Sequence, residues 1–197
     1  MGSIHAMKEG RKFYIIPGLG ESTRAQNYRE IIKGIRASGF DIVPINLEWD
    51  LDVPFSEFVK KADKQIPNNI AEDYILGFSF GAYIAALLAP KKKACGYFFC
   101  SISPYFKDDL QYIPQETKDY FGTTFMSSFK KYSFPENVSG NAWFFIGDKD
   151  WEIAQERARD SYNKWRGGKE MFIVKGAGHE LKDPNYTKEV LNVIKKL

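Results

Sequence analysis

The pentad Gly77-Phe78-Ser79-Phe80-Gly81 lies between an apolar run, Asp73 to Gly77 (DYILG), and a segment that is apolar all round, Ala82 to Ala89. This sequence of strand, tight turn and buried helix limits the possible folds more than any other feature of the chain. A serine at the tip of such a turn is held in a strained region of φ/ψ. Cβ atoms two residues to either side would collide, so glycine fits at both ends. A helix with no polar face must be covered on every side, which sets it against a sheet. The pentad alone could be a Gly-rich corner with an idle serine; its flanking strand and helix argue against that.

The same alternation runs along the whole chain. Strands are expected at Lys12 to Pro17 (KFYIIP), Asp41 to Asn46 (DIVPIN), Asp73 to Gly77, Ala94 to Ile102 (ACGYFFCSI), Asn141 to Ile146 (NAWFFI) and Lys169 to Val174 (KEMFIV). Between them, helical spacing groups Tyr28, Ile31, Ile32 and Ile35 before Gly39, and Phe55, Phe58, Val59, Ala62 and Ile66 before Pro67. Glu152 to Trp165 reads as a helix stopped by Gly167-Gly168, and Asp183-Pro184 caps a last one. Pro44 cannot donate to a ladder, so its strand belongs at an edge or carries a bulge. Strands alternating with helices predict a three-layer α/β/α sandwich around a mainly parallel sheet of about six strands. The one irregularity is residues 103–140, rich in Tyr and Phe, which reads as a short lid insertion within a single domain over 8–197. Ordinary core packing is the competing account of those rings.

Composition excludes several classes. A net charge of +3 with scattered cations does not describe a nucleic-acid binder, and the run Lys91-Lys92-Lys93 reads as a solvated helix end. Cys95 and Cys100 lie in one apolar strand, on opposite faces and too far apart to bond, so nothing calls for an oxidising compartment. Residues 1–7 have no apolar core of a signal peptide and read as expression-vector residue before a natural Met7, which sets His5 aside. No apolar stretch is long enough to span a bilayer. These observations predict a cytoplasmic protein.

Outside residues 1–7 the chain offers a single histidine, His179, in the small-residue loop Gly176-Ala177-Gly178-His179-Glu180 after the last strand. Ligand sites of open α/β sheets lie at the carboxyl ends of strands, where such a histidine can serve as a base. Two carboxylates, Asp148 and Asp150, leave the end of the fifth strand. One is expected to accept from the imidazole, with Asp150 favoured, and the other to cap the helix near Glu152. The loop Pro17-Gly18-Leu19-Gly20-Glu21-Ser22 after the first strand lacks the lysine of a phosphate loop, and Thr23 stands where a dinucleotide fingerprint needs its third glycine. It fits better as a source of backbone amides, so Leu19 N–H and Phe80 N–H are the expected oxyanion donors. Trp49, Tyr105, Phe106 and Trp151 are candidate walls of a substrate pocket.

These motifs, PGLG, GFSFG, the GDKD strand end and GAGHE, resemble the α/β-hydrolase superfamily from Phe13 to the C-terminus, in the family's Ser, Asp, His chain order. In that family the acid occupies the fourth place of a Gly-x-x-Asp pattern, which falls here on Asp150. Two departures stand out: Pro17 precedes Gly18 where many members have His-Gly, and the two leading antiparallel strands are missing. The resemblance implies Ser79 as nucleophile, His179 as base, Asp150 as acid and an ester, thioester or amide substrate, with no metal or organic cofactor. The leading expectation is a serine esterase acting on a small or medium acyl or aryl ester. Alternatives are a thioesterase or small peptidase with the same triad, or a ligand-binding protein on a hydrolase scaffold. Oligomeric state is left open.

Overall fold

Alternating burial along the first strand, β1 (Lys12–Ile16), sorts the core into two layers. Phe13 and Ile15 enter one hydrophobic cluster, Tyr14 and Ile16 the other, and all four are buried. A strand covered on both faces belongs inside a parallel sheet. The computed structural model describes residues 10–136, 138 and 140–197; the vector reading of residues 1–7, with His5, lies outside them. Its sheet is built from β1, β2 (Asp41–Pro44), β3 (Tyr74–Phe78), β4 (Gly96–Cys100), β5 (Asn141–Gly147) and β6 (Lys169–Val174). The six strands run in the order β2-β1-β3-β4-β5-β6, and every neighbouring pair is parallel. Pro44 ends β2 at the sheet edge, the place its missing donor requires.

Helices α2 (Phe55–Gln65), α3 (Phe80–Lys92) and α5 (Glu152–Lys164) cover one face of the sheet, and α1 (Arg29–Ala37) and α6 (Pro184–Ile194) the other. Asp183 caps α6 by accepting from the Asn185 and Tyr186 amides. Both cysteines are free. No helix among the described residues is long and apolar enough to cross a membrane.

Within residues 103–140, helix α4 (Gln115–Met126) lies between two short 3-10 turns. Phe106, Phe121, Phe125, Phe129 and Phe134 turn inward and join Phe55, Phe80 and Tyr83 in the core. Much of the segment therefore extends the hydrophobic layer over α3, and only Tyr112 and Tyr120 among its rings are largely exposed.

Lys92 corrects the solvated reading of the lysine run. Lys91 and Lys93 are exposed, but Lys92 is 1% exposed. Its ammonium meets Asp63 Oδ1 at 2.7 Å, donates to the Asp63 and Ile66 carbonyls at 2.6 and 2.5 Å, and reaches Asn68 Oδ1 at 3.0 Å. Burial pushes the Asp63 carboxyl upward, but hydrogen bonds from Lys91 and Lys92 outweigh it and hold the group below its ordinary value. A depressed carboxyl stabilises the fold above its unfolded pKa, and that contribution is lost as pH falls through the folded value. Lys92→Ala takes the ammonium from Asp63, which keeps only Lys91, and leaves two carbonyls without their donor. It is expected to cost about 3 kcal/mol, read as a lower urea midpoint at neutral pH.

Candidate active site

The turn after β3 is as tight as its glycines require. Ser79 adopts φ 53° and ψ −120°, which holds its side chain off the regular path of strand or helix. A Cβ on Gly77 would lie 2.4 Å from the Gly81 carbonyl oxygen, and one on Gly81 would lie 2.0 Å from the Ile16 carbonyl oxygen. The two glycines thus let α3 start against the end of β1. Among the described residues, neither Phe80 N–H, at the first position of α3, nor Leu19 N–H, in the loop after β1, finds an acceptor. Unpartnered amides beside a helix N-terminus are suited to holding a negative oxygen.

His179 follows β6, and its Nδ1 lies 2.9 and 3.0 Å from the two carboxylate oxygens of Asp150. A carboxylate can only accept, so Nδ1 carries the proton and Nε2 is left as an acceptor. The Asp150 side chain is fully buried, and its Oδ1 also accepts from Trp151 N–H at 2.8 Å. Asp148 takes a different job: its Oδ1 accepts from Gly176 N–H at 2.7 Å, tying the β5 loop to the β6 loop. The expectation that the second aspartate caps the helix at Glu152 is therefore corrected, because α5 has no side-chain cap. Two rings contact the imidazole: Trp151 stacks on it at 4.5 Å and 19°, and Phe78 meets it tilted at 5.1 Å and 46°.

A cleft of 260 Å³ brings Leu19, Ser79, Phe80 and His179 to one rim, with Tyr105, Tyr120 and Trp151 among its walls. The Ser79 hydroxyl and the imidazole share this cleft without a direct hydrogen bond, a spacing common in unliganded sites. Of the four candidate wall residues, Tyr105 and Trp151 line it. Trp49 and Phe106 do not: Trp49 packs on Phe58 and Phe80, and Phe106 lies edge-on to Tyr83 and Phe134. Phe106 belongs to the core, and Trp49 is a partly buried ring packed against it.

Sequence reading missed the support of the amide loop. Tyr28 Oη accepts from Gly18 N–H at 2.8 Å and donates to Glu21 at 2.5 Å, while Asn27 donates to the other Glu21 oxygen at 2.9 Å. Asn27 Oδ1 in turn accepts from Lys182 N–H at 2.8 Å, three residues past His179. Burial, and then the Glu21 charge, pushes the Tyr28 hydroxyl far above its ordinary pKa and keeps it a donor. Periodicity marks Tyr28 only as an inward ring; the signal for its second role is the acid inside PGLGES.

No protein-family model matches this sequence, and no curated protein is similar to it in sequence. Solved structures are similar along nearly its whole length. Est1E from Butyrivibrio proteoclasticus, solved with ferulic acid bound, is 10% identical, covers 96% of this chain and 88% of its own, and superposes with a TM-score of 0.75. Alpha/beta hydrolase domain-containing protein 10 from mouse gives 13% identity, 95% and 89% coverage, and a TM-score of 0.75. MGS-MChE2, an alpha/beta hydrolase enzyme from a lagoon-sediment metagenome at Mar Chica, Morocco, gives 17%, 95% and 91%, and 0.67. This chain has the α/β-hydrolase fold. It is a six-stranded, wholly parallel form of it among the described residues. In this α/β-hydrolase sheet β1 and β3 are neighbours whose chains leave toward opposite edges, so their ends frame a crevice. Leu19 and Ser79 stand at that crevice, and β5 and β6 deliver Asp150 and His179 to the same rim.

Proposed function

We propose that the chain is a serine hydrolase that cleaves carboxylic esters with a small or medium acyl or aryl group. The observation that carries this reading is the imidazole: Asp150 fixes its Nδ1 proton, which leaves Nε2 as a base in the cleft that holds Ser79 and two unused amides. A neighbour of the same fold named as an esterase/lipase, from an uncultured bacterium, points the same way.

Ser79 Oγ attacks the ester carbonyl carbon as its proton passes to His179 Nε2. The carbonyl π pair moves onto oxygen, where the Leu19 and Phe80 amides stabilise it. Collapse expels the alcohol, which takes the proton back from Nε2. Water then repeats the sequence on the acyl-enzyme, releasing the acid and restoring Ser79. Asp150 stays ionised and stabilises the imidazolium; Trp151, stacked on the imidazole, adds its π face.

The two aspartates separate by mutation. Asp150→Asn presents the wrong partner to Nδ1 and should lower kcat about a thousandfold or more. Asp148→Asn keeps an acceptor for Gly176 N–H and should cost less than about tenfold. Steady-state release of p-nitrophenol from its acetate ester by each variant checks the ranking, and the reverse order would reassign the acid.

A further inference from the structure

A second cavity, of 290 Å³, adjoins the catalytic cleft and shares Tyr105 and Trp151 with it as common walls. We propose that this cavity is the limb compartment of the substrate site and takes a planar aromatic group carried by the ester. The inference rests on the esterase reading for its chemistry and on three observations of its own for the ligand.

The first is exposure. Four large hydrophobic residues are strongly exposed among the described residues, Tyr112, Tyr120, Trp151 and Ile173. Three of the four border these two cavities: Tyr112 the second, Tyr120 the first and Trp151 both. Covering apolar surface gains about 25 cal/mol per Å², so rings left in water around one opening mark a place where a ligand is covered.

The second is charge. The one carboxylate on the wall, Asp109, is 4% exposed and already engaged: its Oδ1 meets Arg157 Nε at 2.6 Å, and its Oδ2 accepts from Phe106 N–H at 3.2 Å. Burial raises the Asp109 carboxyl to about 6 against the opposing pull of Arg157. A cationic limb finds no unpaired carboxylate there, and an anionic one meets Asp109. A neutral limb fits best.

The third is shape. Arg157 also lies 5.3 Å over the Tyr112 ring, so the ion pair with Asp109 holds one of the cavity's aromatic walls. Tyr105, Tyr112 and Trp151 supply aromatic walls, and buried Ile113 with Thr117 of α4 completes the lining. Flat faces reward a flat guest beyond the area that it buries.

The test begins with Ser79→Ala protein, which binds intact ester without turnover. Tryptophan fluorescence titrations compare ethyl 3-phenylpropanoate with ethyl butanoate. We expect the aromatic ester to bind at least about tenfold tighter, and Thr117→Phe, added to fill the compartment, to erase most of that difference. In the active protein, Thr117→Phe is expected to lower kcat/KM for the aromatic ester about tenfold more than for the small one. Tyr112→Ala, at an exposed ring, serves as the second variant should Thr117→Phe fail to fold. Equal binding of the two esters, or losses shared equally by both, overturns the compartment. Aromatic preference in binding with no turnover of either ester by the active protein supports the compartment and overturns only the esterase reading.

Discussion

Ser79→Ala is expected to lower kcat for p-nitrophenyl acetate about ten-thousand-fold or more, because a nucleophile and its base act as a unit and the loss of either removes both. The fold should not notice. Alanine keeps the Cβ, and among the described residues the serine hydroxyl makes no hydrogen bond within the protein; the turn is held by backbone contacts, Ser79 N–H to Cys100 O at 2.9 Å and the Ala82 and Tyr83 amides to Ser79 O. The strained φ of 53° remains, so the melting temperature should stay within a degree or two of the parent. What rate is left would come from the Leu19 and Phe80 amides polarising a carbonyl toward free water. A variant that retained the parent rate would remove Ser79 from the mechanism and with it the esterase reading.

Gly81→Ala is expected to have the largest effect on stability. The added methyl would lie 2.0 Å from the Ile16 carbonyl oxygen and 2.7 Å from that of Pro17, and backbone atoms in a packed sheet cannot swing aside as a flexible side chain does. Either α3 lifts off β1 or the strand end bends. The first strips cover from a helix that is buried along nearly its whole length, and the second displaces the loop carrying Leu19. A loss of about 3 kcal/mol or more is expected, visible as a large drop in urea midpoint, with activity falling even where the protein still folds. Gly20→Ala is the comparison: no atom lies within 4 Å of its added methyl, so only its φ of 73° opposes the change.

These two positions also show what the linear sequence discloses. GFSFG can be read because its constraint is local: five residues, one strand before and one helix after dictate the turn. The edge place of β2 is legible for the same reason, since Pro44 has no donor whatever surrounds it. Asp150 against Asp148 is harder, because both leave one strand end and the choice depends on where the β6 loop presents His179 and Gly176. Lys92 is illegible from its neighbours: its shell comes from Asp63, Ile66 and Asn68, and only the packing of α2 against α3 brings them there. Trp49 and Phe106 could not be told from pocket walls because core and pocket draw on the same aromatic residues. Tyr105 and Phe106 are adjacent, yet one lines the cleft and the other lies beneath it. Periodicity assigns a face of an element, and it is silent for a loop.

The bridge from Glu21 through Asn27 to Lys182 links segments that enter the fold at opposite ends of the chain. Glu21 follows the amide that would grip the anionic oxygen, and Lys182 follows the ring that would ferry the proton. A single carboxamide thus gauges the gap between grip and ferry. If one loop creeps outward, the other is drawn after it, so the site keeps its internal measure by shifting as one piece.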